Sequence, residues 1–319
     1  MMISKEEEDA YLPEYALKGK PLSGKGCGYH NSVVRLAESL KTKQIVVVKY
    51  YEEQKLAEYN KISQTLIDNE VLLLTKLKHP NIVQYIDHGK ATLTFTTSPS
   101  VNVYFLVLEY LSGGALFDIC SVPLSEPLIC FIIYEILRTV EFINAMGYAH
   151  LDIKLENIMI DGNGVIKFID FGFTKQLQGE QCDGKQRTFV GTKSYMSPEI
   201  YKKEPFLGVV ADAFALGVVF FALIGKCFPF EAAMPIDPAY KHIASGNYAE
   251  FWKSFISSGA SQFSIELQQL LVGIFAPTQI SRLTVPEILA HKWMENRHKI
   301  TETEARTAIK AALASVQHA

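Results

Sequence analysis

The segment HLDIKLENIMIDGNGVIKFIDFG constrains the fold more than any other stretch of the chain. Two apolar, β-branched runs, Ile158–Ile160 and Val165–Ile169, flank the turn-forming residues Asp161–Gly164. This pattern predicts a short β-hairpin. Counting outward from the turn places position 157 level with about position 168. Asn157 and Asp170 are therefore expected at the same open end of the hairpin.

Asn157 and Asp170 carry the oxygen ligands that a hard cation prefers. Magnesium typically takes one or two protein oxygens and fills its shell with water and substrate phosphates. Asp152 and Lys154 lie just upstream and are expected to face the same place. Asp152 and Asp170 could each be an ordinary turn acid, but their joint placement on one hairpin favours a magnesium site.

Length and charge narrow the class of protein. The chain has 319 residues, of which 48% are hydrophobic, so about two domains or lobes are expected. A formal net charge of −3 gives no electrostatic reason to expect nucleic acid or an anionic membrane as a partner. The first residues are acidic, and the most apolar stretches are too short or too charged for a convincing membrane span. Five scattered cysteines suit reduced thiols, so a cytoplasmic protein is expected, with access to the nucleus left open.

The character of the sequence changes along the chain. Strand-like runs such as IVVVKYY and VYFLVLEY dominate up to about residue 111. The remainder is mostly helical. Pro127–Met146, with a plausible cap at Ser125, and Ala211–Ile224 are apolar on almost every face and should be buried helices. A small sheet-rich half followed by a large helical half is therefore predicted, with the break near Ser112–Gly114.

Two features of the small half could bind phosphate. Gly24, Gly26 and Gly28 would let backbone amides approach a phosphate, although a simple flexible turn explains them equally well. Lys49 ends the apolar run IVVV and either holds phosphate oxygens or is a snorkelling edge residue. Glu70 lies in the apolar part of a predicted helix over Leu56–Lys78, where burial is costly unless the carboxylate is paired. A Lys49–Glu70 ion pair would explain both residues.

Taken together, these residues resemble the eukaryotic protein kinase family. The resemblance covers roughly residues 15–295, and its motifs occur in the family's order: the glycine-rich loop, VVVK, NEVLLL, LKHPNIV, LVLEYLSGG, HLDIKLEN, DFG, GTKSYMSPE, DAFALG and SRLTVPEILAHKWM. It implies an α+β, bilobal fold with a small antiparallel-sheet N-lobe carrying one main helix, a large mostly α-helical C-lobe, and ATP in the cleft. The implied boundaries are an N-terminal extension (1–14), the N-lobe (15–111), the C-lobe (112–297) and a C-terminal helical tail (298–319).

The resemblance also implies roles for the site residues. Lys49 would contact the α- and β-phosphates of ATP, Asp152 would accept or orient the substrate hydroxyl, and Lys154 would neutralise charge on the transferred phosphoryl group. Asn157 and Asp170 would hold Mg2+.

Other positions would bind the nucleotide or support the site. Glu109–Leu111 would form the hinge that binds adenine, with Leu108 as gatekeeper and Val34 beside the nucleotide. Three further residues would be structural supports: Glu199 paired with Arg282, and Asp212 bracing the catalytic loop. Lys154 and the Gly191–Thr192 pair are typical of the serine/threonine branch, so a protein with a serine or threonine acceptor is the expected substrate. Details such as FALIGKCFPF resemble the calmodulin-dependent-kinase-like group.

Three departures from the family pattern affect these expectations. Counting back from Val34 places the usual glycine positions on Cys27, Tyr29 and Ser32, so the loop is either longer or covers phosphate less tightly. Leu151 stands where an arginine often grips a phosphate on the activation loop. The resemblance places Thr188 at the position that is usually phosphorylated, although it could equally be an ordinary exposed hydroxyl in a loop. Because the arginine is missing, we expect activity to depend little on phosphorylation of Thr188. Alanines at 115 and 222 replace acids found in relatives that prefer arginine in the substrate, and only Glu156 remains.

The C-terminal segment TETEARTAIKAALASVQ begins with a capping-box pattern formed by Thr301 and Glu304. Its apolar face, spaced as in a helix, predicts either a helix packed on the C-lobe or a regulatory helix that binds a partner. Two functions remain open: an active serine/threonine kinase in intracellular signalling that uses ATP and Mg2+, and a pseudokinase that acts as a nucleotide-binding scaffold or allosteric partner. A Rossmann dinucleotide site does not fit, because a strand follows the glycines.

Overall fold

The computed structural model describes residues 9–22, 32–58, 62–256 and 263–317. The chain divides into two compact units, Met1–Leu111 and Ser112–Ala319, called here the N-terminal unit and the C-terminal unit. The predicted fold class is confirmed, because an antiparallel sheet dominates the first unit and helices dominate the second.

The sheet of the N-terminal unit is a closed antiparallel barrel with the strand order β1-β2-β3-β4-β6-β5. Alternate side chains of these strands point inward and form one apolar core that includes Leu17, Val46, Val48 and Val107. The strands are β1 (Ala10–Leu12), β2 (Tyr15–Lys18), β3 (Val33–Ser39), β4 (Ile45–Glu52), β5 (Tyr85–Phe95) and β6 (Val101–Glu109).

The start of the sheet differs from the expected boundary. Residues 1–14 were expected to form an extension, yet Ala10–Leu12 is strand β1 and pairs with both β2 and β5. Ala10 and Leu12 are buried in the barrel core, and this burial explains why the strand joins the sheet.

The helical part of the N-terminal unit follows β4. Its described segments are α1 (Glu53–Glu58), which begins before the predicted helix Leu56–Lys78, and α2 (Ile62–Lys76), which lies within that stretch. Leu73, Leu74 and Leu77 are buried, and Glu70 lies among them with only 2% of its surface exposed.

Helices build most of the C-terminal unit. Ser125 caps α3, since its hydroxyl accepts a hydrogen bond from the Leu128 amide at 3.4 Å. The helices are α3 (Glu126–Ala145), α4 (Pro198–Tyr201), α5 (Gly208–Gly225), α6 (Tyr240–Ala244), α7 (Tyr248–Ile256), α8 (Ile265–Ile274), α9 (Val285–Leu289) and α10 (Glu302–Gln317). Short 3-10 helices lie at Leu116–Ser121, Leu155–Asn157, Lys193–Tyr195, Gln279–Ser281 and Lys292–Lys299.

Helix α5 forms the centre of this unit. Nearly all of its residues are buried, as the sequence predicts for a helix that is apolar all round. Within the described ranges it is the one helix long and apolar enough to cross a membrane, and 89% of it is buried inside the protein, as in the core helix of a globular protein.

The predicted hairpin is present in the C-terminal unit. Its strands are β9 (Ile158–Ile160) and β10 (Ile166–Phe168), and β7 (Gly114–Ala115) pairs with β9 on the other side. Two further short strands, β8 (Tyr148–Ala149) and β11 (Lys175–Gln176), pair with each other. Ile158 lies opposite Phe168, which shifts the register by one residue from the count made on the sequence.

Candidate active site

Lys49 and Glu70 form the ion pair that the sequence predicts within the N-terminal unit. The Lys49 ammonium donates hydrogen bonds to both Glu70 carboxylate oxygens, at 2.8 and 3.0 Å. The side chains are 12% and 3% exposed, so water screens the pair weakly. Strand β4 holds Lys49 opposite Val34 of β3 and Leu106 of β6, which gives the lysine a rigid support.

The residues predicted to bind adenine lie at the end of β6 and directly after it. Leu108 and Leu111 are buried. The Glu109 carboxylate accepts a hydrogen bond from the Gln84 amide at 2.6 Å, while the Glu109 amide donates to the Gln84 carbonyl at 3.0 Å. The side chain of Glu109 is therefore used in the fold. The three predicted loop glycines, Gly24, Gly26 and Gly28, lie outside the described residues.

Asp152 is the centre of a polar network in the C-terminal unit. One carboxylate oxygen accepts from the Thr192 hydroxyl at 2.8 Å. The other accepts from the Lys154 ammonium at 2.7 Å and from the Asn157 amide group at 2.8 Å. Lys154 also donates to the Thr192 hydroxyl at 2.9 Å. The structure thus brings together the four residues Asp152, Lys154, Asn157 and Thr192, although Thr192 lies 40 positions beyond Asp152.

Asp212 braces the backbone of the loop that carries Asp152. Its carboxylate accepts hydrogen bonds from the amides of His150 and Leu151, each at 2.8 Å. Only 1% of Asp212 is exposed, and this burial raises the pKa of its carboxyl to about 7, against the opposing effect of the two amide donors. Asp212 belongs to α5, so the most buried helix of the unit fixes the position of the loop.

His150 is a buried residue to which the sequence analysis assigned no role. Its ring packs against the rings of Phe168 and Phe171, with centroids 5.5 and 5.0 Å apart. Burial lowers the pKa of His150 to about 4, so the imidazole is neutral at pH 7. The available signal was its position directly before the polar loop, in a segment otherwise rich in apolar residues.

The hairpin places Asn157 and Asp170 at one end of a short ladder. The Ile169 amide donates to the Asn157 carbonyl at 2.9 Å in the last hydrogen bond of the hairpin. Asp170 follows Ile169 directly, so both site residues lie at this end of the hairpin. Asp170 adopts a left-handed backbone conformation, with φ of +59°. Its carboxylate accepts from the Gly172 amide at 3.3 Å.

These two residues fit a magnesium ion by their chemistry. The Asn157 NH2 group donates both to the Asp152 carbonyl at 2.9 Å and to the Asp152 carboxylate. That orientation directs the amide oxygen of Asn157 away from Asp152. An amide oxygen and a carboxylate are hard ligands of the kind that magnesium prefers, with phosphate and water completing its shell.

Leu151, the position where the family resemblance implies an arginine in many kinases, lies in an apolar cluster. It packs with Ala149, Val190, Met196 and Phe206, and its side chain is buried. The Leu151 backbone has φ of +63°, a strained conformation for a residue with a branched side chain. Apolar burial therefore joins the loop that carries Asp152 to the segment that leads to Val190.

Thr188 is exposed on this segment. Its hydroxyl donates to the Glu180 carboxylate at 2.7 Å, and the same carboxylate accepts from the Arg187 amide at 2.9 Å. The Arg187 guanidinium in turn donates to Asp183 at 2.5 and 3.1 Å. Thr188 thus contacts a carboxylate instead of a cation.

A small cavity of about 20 Å³ lies beside Asp152 and Thr192. Apolar side chains, including Val190, Tyr195 and Met196, form much of its wall. The Tyr195 hydroxyl donates to the exposed Glu156 carboxylate at 3.2 Å. No pattern in the sequence singles out Tyr195, because its partner Glu156 lies 39 positions away along the chain.

Glu199 and Arg282 form the predicted support pair. Arg282 donates to both carboxylate oxygens of Glu199, at 2.7 and 3.0 Å, and the side chains are 0% and 4% exposed for Arg282 and Glu199. Arg282 also donates to the carbonyls of Ala276 and Val210. The pair joins α4 to the loop that follows α8.

Comparison with known proteins agrees with this geometry. The family model described as a protein kinase domain matches residues 24–294. The chain is 29% identical over 279 residues to CBL-interacting protein kinase 33 of Oryza sativa subsp. japonica, covering 86% of this chain and 56% of that protein. It is 28% identical over 268 residues to CBL-interacting serine/threonine-protein kinase 20 of Arabidopsis thaliana, covering 84% and 56%.

The chain therefore matches these relatives over little more than half of their length. The match to the family model also extends over most of this chain, and it includes Lys49, Asp152, Asn157 and Asp170. The chain belongs to the protein kinase family.

Proposed function

We propose that this protein is an active serine/threonine kinase that transfers the γ-phosphoryl group of ATP to protein hydroxyls. The network around Asp152 is the observation that carries this proposal. A carboxylate that is 4% exposed, held by an ammonium, an amide and a hydroxyl, is fixed in one orientation. Such preorganisation is what positioning and electrostatic catalysis require.

Asp152 would receive or orient the proton of the substrate hydroxyl. Its carboxylate is already hydrogen-bonded to Thr192, a hydroxyl at 2.8 Å, so the site accommodates the kind of contact that an acceptor serine or threonine would make. Lys154 lies 2.7 Å from the same carboxylate and would place positive charge beside the group being transferred.

The predicted phosphate and magnesium ligands would hold the nucleotide and the metal. Lys49, fixed by Glu70, would contact phosphate oxygens, and Asn157 and Asp170 would bind Mg2+ through their side-chain oxygens. When bound, ATP would supply the phosphoryl group, and Mg2+ would neutralise negative charge on the phosphate oxygens.

A pseudokinase is the competing function. The irregular spacing of the glycine loop favours it, whereas the Lys49–Glu70 pair and the Asp152 network favour an enzyme. An assay with radiolabelled ATP and a generic basic protein separates the two. We expect label to be transferred by the wild type and not by Asp170→Asn. Equal labelling by both proteins would overturn the enzyme proposal.

The family relationship implies protein substrates, and a regulatory partner is a further part of the proposal. The names of the plant relatives record an interaction with CBL. Helix α10 is the segment of this chain where a partner was expected, but its residues Ala305, Ile309, Ala312 and Leu313 are buried in its own unit. A partner would therefore bind the exposed face of α10 or displace the helix.

A further inference from the structure

Arg306 joins three elements of the C-terminal unit. Its guanidinium donates from one nitrogen to the Glu135 carboxylate of α3 at 2.6 Å, and its other terminal nitrogen binds the second Glu135 oxygen. It also donates to the carbonyl of Gly164, in the turn of the β9–β10 hairpin, at 3.1 Å. The Arg306 and Glu135 side chains are only 14% and 13% exposed, so this fork is better protected from water than an ordinary surface pair.

The backbones of α10 and the hairpin turn also meet closely at Gly164. This residue has φ of +82°, and a Cβ placed there would lie 2.8 Å from the Arg306 carbonyl oxygen. Glycine is therefore needed both for the conformation and for the approach of the helix. The turn is held by the guanidinium of Arg306 and by the helix backbone at the same point.

The hairpin extends from this turn to the candidate active site. It contains three residue pairs, a length of about 10 Å. Beyond the last pair, Ile158–Phe168, the Ile169 amide donates to the Asn157 carbonyl. The Asn157 side chain then donates to Asp152, and Asp170 follows Ile169 directly.

We propose that Arg306 is a positioning residue: by anchoring the hairpin turn to α10 and α3, it fixes the orientation of Asn157 and Asp170 at the opposite end. Helix α10 would then support activity in cis, and a partner that displaced it would lower activity. Arg306 lies beyond residues 24–294 that match the family model, so this support is an addition to the matched domain. The catalytic consequence rests on the proposed kinase function, whereas the structural coupling does not.

Hydrogen exchange, resolved at single amides in the full chain, tests the coupling without any assay of activity. We expect Arg306→Met to accelerate exchange of the Ile169 amide by about fivefold, the effect of a modest loss of local stability. The matched control is Arg138→Met, which removes an exposed arginine from α3, the helix that carries Glu135; Arg138 pairs there with Glu141. This control should leave the Ile169 amide unchanged. Acceleration confined to the turn amides of Gly164 and Val165, or equal acceleration in both variants, would overturn the proposal.

The Mg2+ concentration for half-maximal phosphotransfer provides the functional readout. Arg306→Met should raise it severalfold, while Arg138→Met should not. Unchanged Mg2+ dependence in an active Arg306→Met enzyme would show that Arg306 only stabilises the fold, and would overturn its positioning role. If the wild type transfers no phosphate, the kinase proposal fails, and the exchange experiment still decides whether α10 and Ile169 are coupled.

Two further variants keep the test informative if Arg306→Met does not fold. Arg306→Lys keeps the charge but loses the two-pronged geometry, so an intermediate effect on Ile169 exchange is expected. Gly164→Ala keeps Arg306 and disturbs the contact from the hairpin side, since the new Cβ would meet the helix backbone. It should reproduce the effect on Ile169. A Gly164→Ala protein with wild-type exchange at Ile169 would contradict the coupling.

Discussion

The buried pair of Arg282 and Glu199 allows a quantitative prediction about the stability of the C-terminal unit. Arg282→Met removes the partner of a carboxylate that has only 4% of its side chain exposed. Burial alone would raise the pKa of Glu199, but the hydrogen bonds and charge of Arg282 outweigh that effect and lower it below its ordinary value of 4.5. At neutral pH the variant therefore contains a buried carboxylate without its main compensation.

Removing one partner of a buried ion pair typically costs about 3–5 kcal/mol. The same range is expected for Glu199→Met, which leaves the guanidinium of Arg282 buried with the carbonyls of Ala276 and Val210. Replacing both partners by methionine removes both charges, and such replacements are often close to neutral. We expect the double variant to lose about 1–2 kcal/mol, mainly from the carbonyl contacts of Arg282.

Urea unfolding of the four proteins at neutral pH measures this cycle. The single variants should each show a lower midpoint at an unchanged slope, and the double variant should recover most of the loss. Glu199→Gln is the milder alternative if a methionine variant does not fold. Costs that simply add in the double variant would refute the reasoning that the two charges compensate each other.

Three further predictions concern the site. Thr188→Ala should keep most of its turnover in a steady-state assay. The Thr188 hydroxyl contacts the Glu180 carboxylate, and the apolar Leu151 offers no cation for a phosphate. Loss of most turnover in a folded variant would contradict this. Asp212 has a folded-state pKa of about 7 against an ordinary 3.8, so its native carboxyl retains a proton that the unfolded chain has released. Its contribution to stability should decline as pH rises between these values, and Asp212→Asn, compared by urea unfolding across the same range, should lack that decline; parallel pH profiles would be the contrary result. Finally, the irregular glycine loop should raise the KM for ATP above that of kinases with regular glycine spacing. Ordinary nucleotide affinity in a titration would contradict this prediction.

The sequence predicted the hairpin but not its register. The apolar runs and the turn residues identify the two strands without further information. The one-residue shift arises because Asp161 accepts hydrogen bonds from the amides of Asn163 and Val165, each at 2.8 Å, which keeps Val165 in the turn. Side-chain contacts of this kind within a turn are not visible in a pattern of apolar residues.

The ion pair of Lys49 and Glu70 was also predictable from the sequence. A buried glutamate needs a partner, so the apolar surroundings of Glu70 in the sequence predict its pairing with Lys49. The contact of Thr192 with Asp152 and the cluster around Leu151 depend on loop paths that no local periodicity encodes. Strand β1 was missed because three residues are too few to show alternation, although Ala10 and Leu12 are buried.

For α10, the sequence left two alternatives that only packing could decide. The capping box is present, since the Thr301 amide donates to Glu304 at 2.9 Å and the Glu304 amide donates to the Thr301 hydroxyl at 3.3 Å. The apolar face is buried in its own unit, and this packing supports the interpretation as a lobe-packing helix. The fork from Arg306 to Glu135 joins residues 171 positions apart and had no signal in the sequence.

The central claim is that Asp152 acts on the acceptor hydroxyl during transfer of phosphate from Mg-ATP. Its most direct test compares Asp152→Asn with the wild type by calorimetric titration of Mg-ATP and by phosphotransfer under saturating nucleotide. We predict nearly unchanged nucleotide affinity together with a loss of turnover of about 10²–10⁴-fold, the usual contribution of a positioned general base. Turnover equal to that of the wild type, in a variant that binds Mg-ATP normally, would contradict the account.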